Sequence, residues 1–331
     1  MFRDLQQEEI INILQNKNMR LLHNLRYPPI ERAVDYIVEQ TTRGEKIFLK
    51  FAEETSTRSK IYQEIKMLSD TLKINSLLVT DKLNNREVMQ DVIYIRNRVG
   101  IVSKETFLRY LNNEKIFVYE FNGMFYVKIN GKKLKKLRER KGLRIHELAR
   151  LVGISAKTIR EYEEGNMDMT IEKASRFFDV LGKDFEDVIE EIDISSFRII
   201  GKSRKEHVRT KNMVKRMPRD ERLKIAEKFK ELGLDASLYD AIPSDVVLVN
   251  RSEESKKFFI SYVSKNILMN EAEIKCRENF SFAKALDAVS IIVVNDDVPR
   301  DFLIEVEKYG VTSRLTELNS LAKEIVSELR R

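Results

Sequence analysis

The sequence predicts a multidomain chain with an α/β unit at either end and an all-α unit between them. Three observations carry this. Residues 131–165 read as three short helices punctuated by glycine and serine. Ahead of them, strand-like apolar runs alternate with helical periods, and behind them the same alternation resumes. A length of 331 residues leads us to expect two or three domains.

The elements follow in chain order. Ile10, Ile11, Leu14, Met19, Leu21 and Leu22 recur at roughly helical spacing, which predicts a helix over residues 4–25. Pro28-Pro29 ends it. A second helix is expected next, with Ile30, Ala33, Val34, Ile37 and Val38 on one side. Lys46 to Phe51 reads as a strand, Ser59 to Leu72 as a helix, and Ser76 to Thr80 and Val92 to Ile95 as strands. Asn122-Gly123 between IFVYEF and MFYVKI is a strong hairpin signal, because both residues tolerate positive φ. Tyr119 and Tyr126 would then face each other. This hairpin closes the first domain and leads into the centre.

The centre reads GKKLKKLRERKGLRIHELARLVGISAKTIREYEEG. Leu134 and Leu137 mark the apolar side of its first helix, which ends at Gly142. Leu148, Ala149 and Val152 mark the second, with Gly153 just beyond. Ser155 is placed to cap the third, its hydroxyl accepting an orphan N–H of the first turn. At about 100° per residue, Ala156, Lys157, Arg160 and Glu161 share one side of that helix, opposite Ile159 and Tyr162. Two helices joined by a tight glycine turn are the helix-turn-helix plan, whose second helix enters the DNA major groove. The stretch holds 11 Lys and Arg against 5 Glu, net +6, nearly the whole chain's +7. A plain basic hairpin with a solvated face would share the charge but not the coincidence of cap, turn and face.

Thr170 is placed to cap a fourth helix carrying Ile171, Ala174, Phe177, Phe178 and Leu181, and Phe185 to Ile192 reads as a fifth. Beyond it, Lys202 to Arg219 holds 8 Lys and Arg against one Glu. Such runs are usually solvated linkers, with a phosphate-tracking patch as the alternative. Asp220 to Leu232 reads as a helix ending at Gly233. Val246 to Val249 and Ser290 to Val294 read as buried strands. Phe258 to Ile267, Phe280 to Ala288 and Asp301 to Tyr309 read as helices. Thr316 to Leu329 sets Leu318, Leu321, Ile325 and Leu329 on one stripe. This rhythm echoes residues 46–111 without a residue-level repeat, so duplication rests on rhythm alone.

Composition narrows the class. The chain is 42% hydrophobic and 34% charged, enough apolar residue to bury real cores and to exclude a disordered chain. One cysteine, Cys276, excludes an intrachain disulfide framework and fits a reducing cytoplasm. There is no signal peptide and no apolar run long enough to span a bilayer, so no membrane partner is expected. Net +7 favours an anionic partner.

Gly142-Leu143, Glu147-Leu148-Ala149, Val152-Gly153-Ile154-Ser155, Thr158-Ile159, Tyr162-Glu163 and Gly165 resemble the Cro/CI-type (lambda-repressor-like) helix-turn-helix. The resemblance continues through Leu181-Gly182. It implies that Arg138 pairs with Glu163. It implies groove contacts from Ala156, Lys157, Arg160 and Glu161. Thr158 and Arg150 are expected near the backbone, and Arg144 and Ser155 complete the expected DNA-binding set. Two positions depart: Arg144 stands where that family usually has a small N-cap, and Ile145 where a Gln often reaches a base.

Upstream, the strand-helix-strand outline resembles the restriction-endonuclease-like fold. Its active members carry an acid-x-Lys motif on a central strand, plus an upstream Asp, to hold a divalent metal. The matching segment is Phe48-Leu49-Lys50. Phe48 occupies the acid position, and a phenyl ring cannot ligate Mg²⁺, which demands oxygen ligands. The domain is therefore expected to be inactive, with Lys50 structural or against a phosphate. His23, His146 and His207 lie far apart in sequence, and Cys276 lacks a recognisable partner. No Walker-type loop or dinucleotide fingerprint is present, so no catalytic residue, metal or cofactor is expected.

The whole layout resembles an archaeal family of HTH-type transcriptional regulators. The expected organisation is a nuclease-like domain (1–129), a five-helix Cro/CI-type DNA-binding domain (130–194), a basic linker (195–219), and an α/β domain for dimerisation or sensing (220–331). The expected function is a cytoplasmic, sequence-specific regulator acting on double-stranded DNA as a homodimer, and not an enzyme. Two alternatives stay open: a nuclease targeted by the helix-turn-helix, and a coactivator-like adaptor binding a transcription-machinery protein.

Overall fold

The structure is a computed structural model and describes residues 14, 18–194, 220–250 and 256–329. The described residues fall into two compact units: 51–55 and 77–194 belong to the first, and 18–50, 56–76 and the described residues beyond 220 to the second.

The second unit begins with β1 (Met19–Asn24), β2 (Tyr36–Gln40) and β3 (Glu45–Phe51), an antiparallel ladder with Asn24 opposite Tyr36 and Tyr36 opposite Leu49. Helix α1 (Lys60–Leu72) follows, and Ser59 Oγ caps it by accepting the Tyr62 N–H at 3.2 Å. Two expected helices are corrected here. Residues 19–24 and 36–40 are strands, and Ile30, expected on an apolar face, is 78% exposed. Paired apolar neighbours satisfy helical and extended periods alike, and ladder hydrogen bonds decided between them. Residues 4–13 and 15–17 of the first expected helix lie outside the described residues, and Leu14 between them is helical.

The first unit holds a small ribbon of β4 (Glu54–Thr55), β6 (Lys82–Leu83) and β7 (Arg86–Glu87). Beside one another lie β5 (Asn75–Val79), β9 (Val99–Val102), β8 (Val92–Arg96), β10 (Val118–Phe121), β11 (Met124–Ile129) and β12 (Met169–Thr170). Ser103 caps helix α2 (Lys104–Leu111). The β10–β11 turn puts Asn122 and Gly123 at φ 52° and 84°, and Tyr119 stacks on Tyr126 with ring centroids 5.3 Å apart. Then come α3 (Gly131–Arg140), α4 (Ile145–Val152), α5 (Ala156–Glu163) and α6 (Ile171–Leu181). The expected fifth helix is corrected. Residues Lys183–Val188 form a 3₁₀ turn, and β13 (Ile189–Glu190) pairs with the far end of β11. The tighter turn already buries Phe185 and Val188 at i and i+3, and Ile189 then turns extended, opposite Ile129.

The second unit resumes with α7 (Glu221–Glu231) and a five-stranded sheet in the order β14 (Asp235–Leu238), β15 (Val246–Val249), β16 (Lys257–Val263), β17 (Val289–Val294), β18 (Val311–Arg314). The first three are antiparallel and the last three parallel. Helix α8 (Met269–Ala285) connects β16 to β17, α9 (Arg300–Val306) leads to β18, and α10 (Leu318–Leu329) closes the chain over Ile225, Phe229, Leu248, Ile260 and Val293. The helix expected over 258–267 is corrected to strand β16, whose run Phe258–Val263 is buried throughout. A strand covered on both faces shows no alternation, so its period is illegible. The polar side chains of Lys275, Glu278 and Asn279 on the inner side of α8 hide its full length from a hydrophobic count. The order of three strands and then a helix in β14–β15–β16–α8 is also met in β1–β2–β3 and α1, with the short β4 before α1.

Candidate nucleic-acid interface

The helix-turn-helix is built around α5. Ser155 Oγ accepts the Thr158 N–H at 3.1 Å and lies 2.8 Å from Thr158 Oγ1, so both hydroxyls serve the cap. Ile159 and Tyr162 are buried, while Lys157 and Arg160 are exposed and Ala156, Thr158 and Glu161 half-buried. Among the described residues, the side chains of Arg150, Lys157 and Arg160 have no hydrogen-bond or ion-pair partner. Arg144 is exposed at the start of α4, and its N–H is accepted by Glu147 Oε2 at 2.6 Å. Glu147 thereby satisfies the Arg144 N–H, while no side chain at 144 accepts a first-turn N–H of α4 as a small N-cap residue would. Gly153 ends α4 at φ 68°, turning the chain toward α5.

The scaffold fixes that helix tightly. Arg138 donates from Nε and Nη2 to both oxygens of Glu163, and from Nη1 to the carbonyl of Leu143 at 2.8 Å. Gly131, the first residue of α3, abuts the end of α5: a Cβ there would lie 2.4 Å from the Tyr162 carbonyl oxygen. Asn130 caps α3 through Oδ1 and donates from Nδ2 to Glu190 at 2.9 Å. Beneath lie Val127 and Ile129 of the hairpin, in one core with Leu134, Leu148, Ile159 and Phe177. Strands β12 and β13 both pair with β11, so the hairpin is part of the DNA-binding fold as well as the element leading into it. Inside that seam Tyr119 donates to Asp168 Oδ2 at 2.8 Å. Burial pushes the Tyr119 phenol up, reinforced by the Asp168 charge, and burial likewise raises Asp168 against the Tyr119 hydrogen bond that lowers it.

The second unit holds the nuclease-like positions. Asp35 lies immediately before β2, and its Oδ1 accepts from Lys50 Nζ at 3.1 Å. Asp35 was missed in the sequence because Tyr36–Gln40 read as helix; as a strand, it places an acid at the ladder's entrance. Phe48 is fully buried and stacks on Phe282 of α8 at 6.4 Å. These residues do not fit a divalent metal: one carboxylate is engaged by a lysine, and the motif's second acid is a phenyl ring. Among the described residues, no group of three His, Cys, Asp or Glu is arranged to hold a metal ion. Cys276 is buried and its thiol is pushed up to about 12 by burial, which makes it a poor nucleophile. No helix of the described residues is long and apolar enough to cross a membrane.

Comparison with known proteins agrees with this geometry. Residues 3–116 match the PD-(D/E)XK superfamily domain, and residues 134–188 match a helix-turn-helix family. The chain is 26% identical to a protein of Saccharolobus solfataricus named "Putative HTH-type transcriptional regulatory protein", over 96% of each chain. It is 26% identical to a protein of the same name from Aeropyrum pernix, over 85% of this chain and 88% of that one. No solved structure matches. The chain therefore matches a PD-(D/E)XK superfamily domain ahead of a helix-turn-helix, and over most of its length it is similar to archaeal proteins named as HTH-type transcriptional regulatory proteins.

Proposed function

We propose that the chain is a transcription regulator that binds double-stranded DNA through α5. Lys157, Arg160, Glu161 and Ala156 meet the major groove in this reading, Thr158 and Arg150 lie near the backbone, and Arg144 and Ser155 complete the contact set. One observation supports it above the rest: Lys157 and Arg160 stand exposed and unpartnered on a helix whose opposite side is locked by Ile159, Tyr162 and the Arg138–Glu163 pair. Unpaired cations on a rigid helix suit phosphate and guanine acceptors. One helix-turn-helix reads few base pairs, so a homodimer on a near-palindrome, with half-sites about one helical turn apart, follows from the same reading. The organisation proposed keeps residues 1–129, 130–194 and 220–331 as functional regions joined by a basic linker, acting in the cytoplasm.

The chain acts without catalysis in this proposal. The buried phenyl ring at Phe48 and the lysine-engaged Asp35 support that reading against a targeted nuclease. Selection of a consensus site from random duplex DNA tests the whole reading. An enriched motif that is lost in the Lys157→Ala/Arg160→Ala double variant is expected. No enrichment, with retention of a basal transcription protein, would put the adaptor reading ahead.

A further inference from the structure

The second unit contains one arrangement twice. In β1–β2–β3, Leu25 N donates to the Asp35 carbonyl at 2.9 Å, and Asp35 N donates to the Leu49 carbonyl at 2.9 Å. In β14–β15–β16, Tyr239 N donates to the Asp245 carbonyl at 3.0 Å, and Asp245 N donates to the Ile260 carbonyl at 2.8 Å. The register agrees: Asn24 faces Tyr36 as Leu238 faces Val246, and Tyr36 faces Leu49 as Val246 faces Ile260. In both places an aspartate opens the middle strand and binds a lysine, though from different elements: Lys50 of β3 at 3.1 Å, and Lys275 of α8 at 2.6 Å. A helix follows each third strand, after the two-residue β4 in the first copy, and then a strand whose second residue is a serine bonded back to that helix: Ser76 to Ser69, and Ser290 to Asn279.

The two copies grip each other reciprocally. Glu64 of α1 accepts the Asp240 N–H at 3.1 Å and the Ala241 N–H at 2.6 Å. Glu278 of α8 accepts the Arg26 N–H at 2.9 Å. Arg26 and Asp240 hold the same place, two residues past the end of their copy's first strand. Between the grips, Ala33 N donates to the Ala241 carbonyl at 2.7 Å, and Phe48 stacks on Phe282. When residue i of one body meets j of the other, and the counterpart of i meets the counterpart of j, the contact is isologous, as in a two-fold dimer.

We infer that residues 19–50 with 56–76, and residues 235–250 with 256–290, are two copies of one β-β-β-α module, paired about an internal pseudo-two-fold axis. The unit is a dimer built within one chain. The face of β3 that bears Phe48 packs on Phe282 of α8, so the second module occupies it. A carboxylate at position 48 would be replaced by a ring for this reason: the position is interface. The inference is independent of the DNA reading, and it directs any homodimer contact to other surfaces.

Two measurements on the full-length protein test it. Lys46 pairs with Asp287, and Lys60 with Asp240 at 2.7 Å, each joining the two copies, whereas Lys228 and Glu231, 3.3 Å apart, lie within one helix. A 1:1 mixture of isotope-labelled and unlabelled protein is co-refolded and treated with a zero-length carbodiimide. Lys46–Asp287 and Lys60–Asp240 amide links should appear only as all-light or all-heavy peptides. Mixed peptides, or absence of both links while Lys228–Glu231 couples, would overturn the inference. Hydrogen exchange then tests reciprocity. Glu64→Ala should speed exchange across residues 239–245, and Glu278→Ala across 25–35, each by about 10- to 100-fold, the loss of a charge-assisted hydrogen bond. Glu64→Gln and Glu278→Gln keep an acceptor, serve where the alanine variants do not fold, and should show the same paired response more weakly. A response at one loop only would mean the contact is not two-fold.

Discussion

Arg138 and Glu163 are joined by two hydrogen bonds, of 2.6 and 3.1 Å, with side chains only 7% and 6% exposed. The pair ties α3 to the end of α5, and the third donor of Arg138 holds the Leu143 carbonyl ahead of α4. Breaking a buried pair strands one charge, so Arg138→Ala should cost about 3–5 kcal/mol. Thermal unfolding of Arg138→Ala beside Arg138→Met/Glu163→Met checks this. The double variant, which leaves no lone charge, should unfold at the higher temperature. An Arg138→Ala melting point equal to the parent's would refute the assignment.

Gly131 should tolerate no side chain. Its missing Cβ would meet the Tyr162 carbonyl at 2.4 Å and the Glu163 carbonyl at 2.5 Å. Gly131→Ala must push α3 from α5, at a cost of about 1–3 kcal/mol for overpacking. Consensus-site affinity should fall with it, because α5 loses its backing. Denaturant titration and a binding isotherm read the two effects, and a variant matching the parent in both would show that the helices do not meet so closely.

Phe48→Glu should not create a nuclease. The new carboxylate would take the buried place of the ring against Phe282, so the melting temperature should drop and no Mg²⁺- or Mn²⁺-dependent cleavage of plasmid DNA should appear. Metal-dependent cutting by the parent that disappears in Lys50→Ala would promote the enzyme reading.

At α5, the two roles of Arg160 separate by experiment. If its guanidinium reads guanine O6 and N7, Arg160→Ala should cost about 1–3 kcal/mol and relax preference at one position per half-site. If it holds a phosphate, affinity should fall evenly across sequences and the salt slope should shrink by about one ion. Insensitivity of binding to Lys157→Ala, Arg160→Ala and Glu161→Ala together would mean that this side of α5 does not enter the groove.

Glu278 should shape the acid limb of stability. Burial raises its pKa, but the hydrogen bonds from His23 and the Arg26 N–H outweigh burial and hold the carboxyl below its ordinary value. A folded pKa below the unfolded one, about 4.3, stabilises the fold above that pH. The contribution disappears as pH falls through the depressed value. Glu278→Gln should therefore lower stability at neutral pH and flatten its decline below about pH 4. Parallel acid-unfolding curves for parent and variant would contradict the role.

What the sequence determined by itself was local in origin. Ser155 and Thr170 were legible as caps, Gly142 and Gly153 as helix ends, and Asn122-Gly123 as a turn, because each effect is confined to a few residues of backbone. The amphipathic division of α5, with Ile159 and Tyr162 in and Lys157 and Arg160 out, was legible for the same reason. Residues 19–24, 36–40 and 257–263 were not, since a strand exists only through partners distant in the chain. The pairing of β11 with β12 and β13, the acid Asp35 beside Lys50, and the stacking of Phe48 on Phe282 were likewise decided by tertiary structure. So was the two-fold match of Glu64 with Glu278. The copies share strand register and backbone hydrogen bonds, which constrain geometry, while different residues fill the same places, so the repeat is visible only once the backbone is folded.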